Sequence, residues 1–420
     1  MPCDNARYNT GMRVLIIGKY PPIEGGVSAR TYWLAHALAE RDIEVSVVTN
    51  AGCVEESYRE TLNLSNPATQ EKYSHPNLKI FSLEGKSPRH IPYSETYVSR
   101  LVNLALGAIE VRRPDIIFAH YLEPYGTAGY FVKKMTGLPF VIQHAGSDIY
   151  RLLQHEDFYR LLGRVIAESD GAFLGPSLRT LAEKLGMRKE QLLERRHFGV
   201  PPAFAPKGEP FAFGAYGLQN PPAGIPIITY MGKAGKNKGI AELFSALRNI
   251  SADFRLLFIS KGEQMETVET FLAENPSFAE RVLRPGFLPP WEIPSVLRSS
   301  TLLTHLEHLF PIPIHSPVQP YEAVACGTPL LLSGEIFAKI RRRFPKTASR
   351  FSVVDDPADI PALQAALEKS LVEPERMRED AAAIREEFTQ SAQWDRFVDD
   401  YVQAFARVAK KRRRFARLRR

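Results

Sequence analysis

Short runs of consecutive apolar residues alternate along this chain with longer stretches whose apolar positions recur at helical spacing. Residues 13–18, Arg-Val-Leu-Ile-Ile-Gly, are a continuous apolar run closed by a glycine, the pattern of a strand covered on both faces. Beyond the loop 19–26, Val27, Thr31, Leu34 and Leu38 fall on one side of a predicted helix, with Ser28 placed to cap its first turn. A β-branched run at 43–49 follows, so strand, helix and strand succeed one another as in a right-handed parallel crossover. Apolar runs at 115–119, 140–143 and 171–174 extend the series, each separated by stretches of helical pattern.

Between residues 197 and 225 the pattern gives way to prolines, glycines and aromatics, including Pro201-Pro202 and Pro221-Pro222, which reads as a linker. A second series then runs through 227–231, 256–259, 282–284, 301–304 and 329–332, and a last helix at 391–409 carries Trp394, Phe397, Tyr401, Phe405 and Val408 along one side. The fold class is α/β, two doubly wound Rossmann-like domains whose strand carboxyl ends face a shared cleft, where ligands bind in such sheets. The expected division is a flexible start at 1–11, a first domain at 12–205, a linker at 206–225 and a second domain at 226–390. The helix 391–409 is expected to pack back toward the first domain, ahead of a basic tail at 410–420.

Composition agrees with folded domains: 420 residues, 44% hydrophobic and 24% charged. The cysteines, Cys3, Cys53 and Cys326, are odd in number and lack metal-ligand spacing, so neither a disulfide framework nor a zinc site is expected. With no signal-like start and no bilayer-length apolar stretch, a cytoplasmic location is expected. The charge changes the picture when it is located. Residues 410–420 alone hold eight lysines and arginines, more than the net +7 of the whole chain, so the body is near neutral and the basicity belongs to the tail.

Four segments carry candidate chemistry. Pro21 to Ser28 is a loop holding Gly25 and Gly26 between a strand and a helix, and is either an anion-accepting helix start or a tight turn. Gly232-Lys233-Ala234-Gly235-Lys236-Asn237-Lys238-Gly239 follows a buried strand; its Lys233 and Lys238 form a clamp for a diphosphate, or a solvated turn. It departs from the Walker pattern, because Lys238 precedes its glycine and no hydroxyl residue follows. In His315 to Pro329, Glu322 stands in a first helical turn, either accepting from the vicinal hydroxyls of a ribose or answering the helix dipole. In Gln143 to Asp148, His144 and Asp148 are placed on a strand-end loop to hydrogen-bond sugar hydroxyls, or serve structure alone.

Taken in order, these segments, with Pro114-Asp115, Phe198-Gly199-Val200 and Glu322-Ala323-Val324-Ala325-Cys326-Gly327-Thr328-Pro329, resemble glycosyltransferase family 4, whose members have the GT-B fold. The resemblance covers about residues 12–408. It implies a retaining enzyme moving a hexosyl or related sugar from a nucleotide-sugar donor to an acceptor hydroxyl on a glycan, polysaccharide precursor or lipid-linked sugar. By the resemblance, His144, Lys233 and Lys238 are catalytic. Gly26, Gly232, Ser316, Val318, Gln319 and Glu322 join the two lysines in binding the donor, and Gly25, Tyr121 and Asp148 face the acceptor. Lys233 stands where the family often has arginine, which gives up the bidentate fork. The family also carries a glutamate eight positions before the ribose-binding one; here that position is Ile314, and the longer segment 307–313 offers Glu307 in its place. That departure motivates the alternative of a catalytically weakened or scaffold protein on the same fold.

The lysines and helix ends suffice to stabilise a departing diphosphate, and the chain has no Asp-x-Asp triplet, so no metal and no cofactor are expected. The tail is read as an anchor to an anionic membrane surface, with a solvated segment as the plain alternative and no motif for nucleic acid. The polar stretch 53–76 reads as a lid, an acceptor-binding insertion or a loose loop.

Overall fold

The computed structural model describes residues 11–85, 96–315 and 317–418, with side chains as far as 411. The expected flexible start, Ser316, and the side chains of most of the basic tail therefore lie outside the described residues. The chain divides into two compact units: residues 1–55, 63–197 and 395–420 form the first, residues 56–62 and 198–394 the second.

The first unit holds a seven-stranded sheet of β1 (Arg13–Gly18), β2 (Glu44–Gly52), β3 (Leu78–Glu84), β4 (Ile116–His120), β5 (Phe140–Gln143), β6 (Gly171–Phe173) and β7 (Leu192–Leu193). The order is β3-β2-β1-β4-β5-β6-β7, with every pairing parallel. The order reverses between β1 and β4, where Gly18 lies opposite His120. That reversal opens a crevice beyond the carboxyl ends of the strands. Central strands β1 and β4 are buried almost throughout, as their unbroken apolar runs require. The pattern did not reveal β3 and β7, because β3 mixes Lys79 and Ser82 into a half-exposed edge and β7 is two residues long.

The helix Gly26–Ala39 begins earlier than expected. Gly25, at φ 106°, is its N-cap, a conformation open to glycine at no steric cost. Ser28 is thus the third helical residue, not the cap; it is buried and its Oγ has no hydrogen-bond partner among the described residues. The helix Trp394–Leu418 packs Tyr401 on Phe173 at 4.7 Å and Phe405 on Phe118 at 5.3 Å between ring centroids. Asp400 on the same helix accepts the backbone N–H groups of Arg196 (2.7 Å) and His197 (2.8 Å), fixing the point where the chain leaves the unit.

The second unit holds β8 (Ile227–Met231), β9 (Arg255–Ile259), β10 (Val282–Leu283), β11 (Leu302–His305), β12 (Leu330–Ser333) and β13 (Ser352–Val354). Their order is β10-β9-β8-β11-β12-β13, again all parallel. Here the order reverses between β8 and β11. Its core joins Ile228, Tyr230, Phe244, Phe254, Phe258 and Leu331, all nearly inaccessible to solvent.

Candidate active site

In the second unit, Lys233 and Lys238 lie on the loop leaving β8, while Glu307, His315 and Glu322 follow β11, so the topology gathers them along the two strands that meet at the switch point. Gly239 makes that meeting close. It has φ 71°, and a Cβ there would sit 2.5 Å from the Cβ of Leu306, so only glycine lets the two loops touch. Across the contact, the Nζ of Lys238 is hydrogen-bonded and ion-paired to Oε2 of Glu307. Nδ1 of His315 lies 2.8 Å from Oε1 of the same carboxylate, and Nζ of Lys339 is 3.9 Å away. The Phe310 ring closes the group, its centroid 4.2 Å from Nζ of Lys238 and 4.6 Å from the His315 ring.

Glu307 has a side chain only 2% exposed. Burial pushes its carboxyl up, but the hydrogen bond from His315 and the charge of Lys238 outweigh burial and hold it at about 2. The carboxylate is therefore ionised and fixes one N–H of Lys238, leaving the other two ammonium hydrogens to point elsewhere. Nearby, burial pushes His305 down to about 4, so its ring is neutral. Ile314 occupies a turn of the same loop and is half-buried.

Glu322 stands in the first turn of the helix Gln319–Cys326, whose N-cap is Val318, and is half-buried. Lys233 carries its ammonium 5.0 Å from the centroid of the Tyr58 ring, and Tyr230 donates its hydroxyl to the carbonyl of Lys233 at 3.3 Å. Gly232 has φ 156°. Sequence reasoning noticed Glu307 as a stand-in for the missing glutamate; it missed His315 and Lys339 as its partners, since only folding brings a helix 32 residues further on to the loop.

In the first unit the polar groups are of another kind. Tyr121, just beyond β4, is a non-glycine residue at φ 90°, a strained conformation of the sort concentrated at functional sites. Its hydroxyl pairs with Ser147 Oγ at 2.7 Å, and the Lys19 ammonium lies 5.6 Å from its ring centroid. His144, beyond β5, is largely buried, and burial pushes its pKa down to about 4. Its Nε2 accepts the N–H of Gly175 at 3.5 Å, while Nδ1 has no partner among the described residues. Gly25 and Gly26 are exposed at the start of their helix.

Asp148 corrects the sequence reading. It is fully buried, and its carboxylate accepts backbone N–H groups from Leu122, Ala145, Gly146 and Ile149 at 3.0–3.2 Å. Its oxygens are spent on folding the loop and none is left for a sugar hydroxyl. Sequence reasoning did not find a hydrogen-bond chain that is buried from Tyr401 to Thr31 and reaches the surface at Arg195. Arg195 Nη1 reaches Tyr401 Oη at 3.2 Å, Tyr401 donates to Gln143 Oε1 at 2.7 Å, and Gln143 Nε2 meets His120 Nε2 at 3.0 Å. His120 Nδ1 then lies 3.0 Å from Thr31 Oγ1, which donates to the carbonyl of Val27 at 2.8 Å.

Comparison with known proteins agrees with this architecture. Residues 25–192 match the model of the glycosyl transferase 4-like domain, and residues 219–383 match glycosyl transferases group 1. No curated protein sequence matches the chain. Among solved structures, the chain is similar to a sucrose-phosphate synthase from Thermosynechococcus elongatus, with 17% identity and a TM-score of 0.67 over 94% of this chain and 99% of that one. WaaG, a glycosyltransferase of lipopolysaccharide biosynthesis, gives 14%, 0.63, 94% and 99% in the same terms. Anabaena Alr3699/HepE in complex with UDP-glucose gives 14%, 0.60, 95% and 100%. With both sheets in the doubly wound order and a glycosyl-transferring model matched on each half, the chain is an enzyme of the GT-B glycosyltransferases.

Proposed function

We propose that the enzyme belongs to family 4 and moves a sugar, with retention, from a nucleotide-sugar to an acceptor hydroxyl of a glycan or lipid-linked sugar. The observation that carries the reading is the Lys238–Glu307 pair at the second switch point. A buried carboxylate that holds a lysine in place gives a preorganised cation, and a preorganised cation stabilises charge developing on a leaving diphosphate without reorganising during the reaction. Lys233 supplies a second cation from the same loop, and Glu322 takes the donor ribose. The backbone N–H groups of Val318 and Gln319 are the donors this reading assigns to the distal phosphate, and Gly232 leaves room for the nucleotide; Gly26 and Ser316 keep the donor roles that the resemblance implies.

His144 is assigned the transferred sugar as a neutral hydrogen-bonding group, and Tyr121 and Gly25 are assigned the acceptor. UDP-glucose in the Anabaena neighbour makes a uridine or related nucleotide the first donor to try. With two lysines to meet the diphosphate, transfer proceeds without a metal and without any cofactor. The test is release of free nucleoside diphosphate from a panel of nucleotide-sugars, with and without chelator. Strict magnesium dependence counts against the metal-free reading, and no release from any donor favours the scaffold alternative that Ile314 motivates.

Among the described residues no helix is long and apolar enough to cross a membrane. Eight basic residues at 410–420, each contributing about 1 kcal/mol near an anionic surface before screening, support peripheral attachment to the inner face of the cytoplasmic membrane. Flotation with anionic vesicles, comparing the full chain with one lacking 410–420, decides it; equal partitioning removes the membrane from the reading.

A further inference from the structure

Seven residues of the polar stretch after β2, Glu56 to Leu62, belong to the second unit although the chain on either side of them belongs to the first. They lie along the loops that leave β8, β9 and β10. Thr61 donates its backbone N–H to the carbonyl of Phe287 at 2.7 Å and its hydroxyl to the carbonyl of Pro285 at 3.2 Å, and Glu60 bridges Phe287 in parallel. Lys261, just past β9, points its ammonium at the carbonyl of Arg59 (3.2 Å), the carbonyl of Glu56 (3.5 Å) and the carboxylate of Glu56 (3.6 Å). Tyr58 lays its ring against the Lys233 ammonium at 5.0 Å and sets its hydroxyl 3.5 Å from Glu263 Oε1. Glu60 is 7% exposed and Tyr58, Arg59 and Leu62 are half-buried, while Glu56, Ser57 and Thr61 stay open to solvent, so the segment is seated at its middle and loose at its edges.

This strap offers the second unit what an anionic ligand offers. One lysine meets a π face, whose quadrupole attracts cations. The other meets a carboxylate and two carbonyl oxygens, and both lysines follow strands whose carboxyl ends form the ligand edge of a doubly wound sheet. We infer that residues 56–62 are an internal competitor for the donor edge of the second unit, so that a nucleoside diphosphate engages Lys233 only as the strap gives way. The inference rests on the donor reading of Lys233 given above. It makes donor affinity a property of a segment remote in sequence from every donor-binding residue.

The experiment uses the full chain, with UDP, GDP and ADP as probes, and titrates wild type, Lys233→Ala, Tyr58→Phe and the double variant Glu56→Ala/Tyr58→Ala by calorimetry. Removing one partly exposed cation–π contact and one surface ion pair predicts a dissociation constant about threefold to tenfold lower for the double variant. Tyr58→Phe, which keeps the ring, stays at the wild-type value. Hydrogen exchange supplies a readout that a loss of folding would not mimic: saturating nucleotide speeds exchange at the amide of Thr61 in wild type. Equal or weaker binding by the double variant, or slower exchange at Thr61 on binding, overturns the strap as a competitor while leaving the donor site intact. Binding unaffected by Lys233→Ala, or no binding of any probe to any form, overturns the donor reading and the strap with it.

Discussion

At the switch point of the first sheet His120 and His144 are neutral and the Asp148 carboxylate is spent on backbone N–H groups, whereas at that of the second the side chains are charged and paired across loops. His120 and His144 are pushed down by burial and Asp148 is enclosed by backbone N–H groups. In the second unit, Lys238, Glu307 and Lys339 hold formal charge within one cluster. The same topology thus supports two electrostatic environments. A diphosphate needs fixed cations to arrive and to leave, while a hydroxyl acceptor needs directional hydrogen bonds and an edge without net charge. The proposed assignment of donor to the second unit and acceptor to the first rests on which strand-end residues are ionised.

The comparison is broken most severely by Lys238→Ala. Loss of one preorganised group facing developing charge costs about 100- to 1,000-fold in kcat, and here it also takes the hydrogen-bond donor from Oε2 of Glu307, leaving His315 and Lys339 on the other oxygen. The expected outcome is that fall in nucleoside diphosphate release, with Lys238→Arg recovering only part of it, since the guanidinium does not match the compact ammonium seat beside Phe310. A loss below tenfold would mean that the charged unit does not handle the leaving group.

Glu307→Gln tests the same cluster through stability. The carboxyl is held at about 2 in the folded chain against an ordinary value near 4.5, so its contribution is fully present above about pH 4.5 and is lost as pH falls toward 2. The difference corresponds to about 3 kcal/mol at neutral pH. Urea unfolding should find the variant less stable by that order at pH 7, with the gap to wild type closing between pH 4.5 and 2. A gap that is constant with pH would show that shape, and not charge, is what Glu307 supplies.

Much of the frame was legible before folding. The run Val14 to Ile17 is buried because it is central, and a residue string can show that; the two-residue β7 and the half-polar β3 are edges, whose pairing leaves too little apolar signal to read. The loop lysines were legible by residue type. Their partners were not, because Lys238 and Glu307 are 69 positions apart and Gly239 makes their contact by lacking a side chain. Asp148 was misread because type and position suit a ligand as well as a loop anchor; only its four backbone partners distinguish the two. The strap was invisible in a stretch with no periodic apolar face.

The smallest expected effect sharpens the neutral side of the comparison. In the chain from Tyr401 to Val27 every proton has one place to go. Thr31 spends its hydroxyl hydrogen on the carbonyl of Val27 and so must accept from His120 Nδ1–H. Burial keeps His120 neutral, so its Nε2 is bare and accepts from the Gln143 amide, whose oxygen takes the hydroxyl hydrogen of Tyr401. Reversing the Gln143 amide would leave that hydroxyl without an acceptor, which fixes both the amide orientation and the His120 tautomer. Nitrogen-15 shifts of the His120 ring should therefore report a hydrogen on Nδ1 and none on Nε2 across neutral pH. Tyr401→Phe removes the last donor, leaves Gln143 Oε1 buried without one, and should cost about 1–2 kcal/mol in urea unfolding. Because the chain ends on the first turn of the helix that Gly25 caps, the variant should also raise KM for the acceptor by more than it changes nucleotide affinity, which the second unit's charged cluster dominates in the proposed reading. A shift in nucleotide affinity of the same size would show that the two electrostatic environments are not independent.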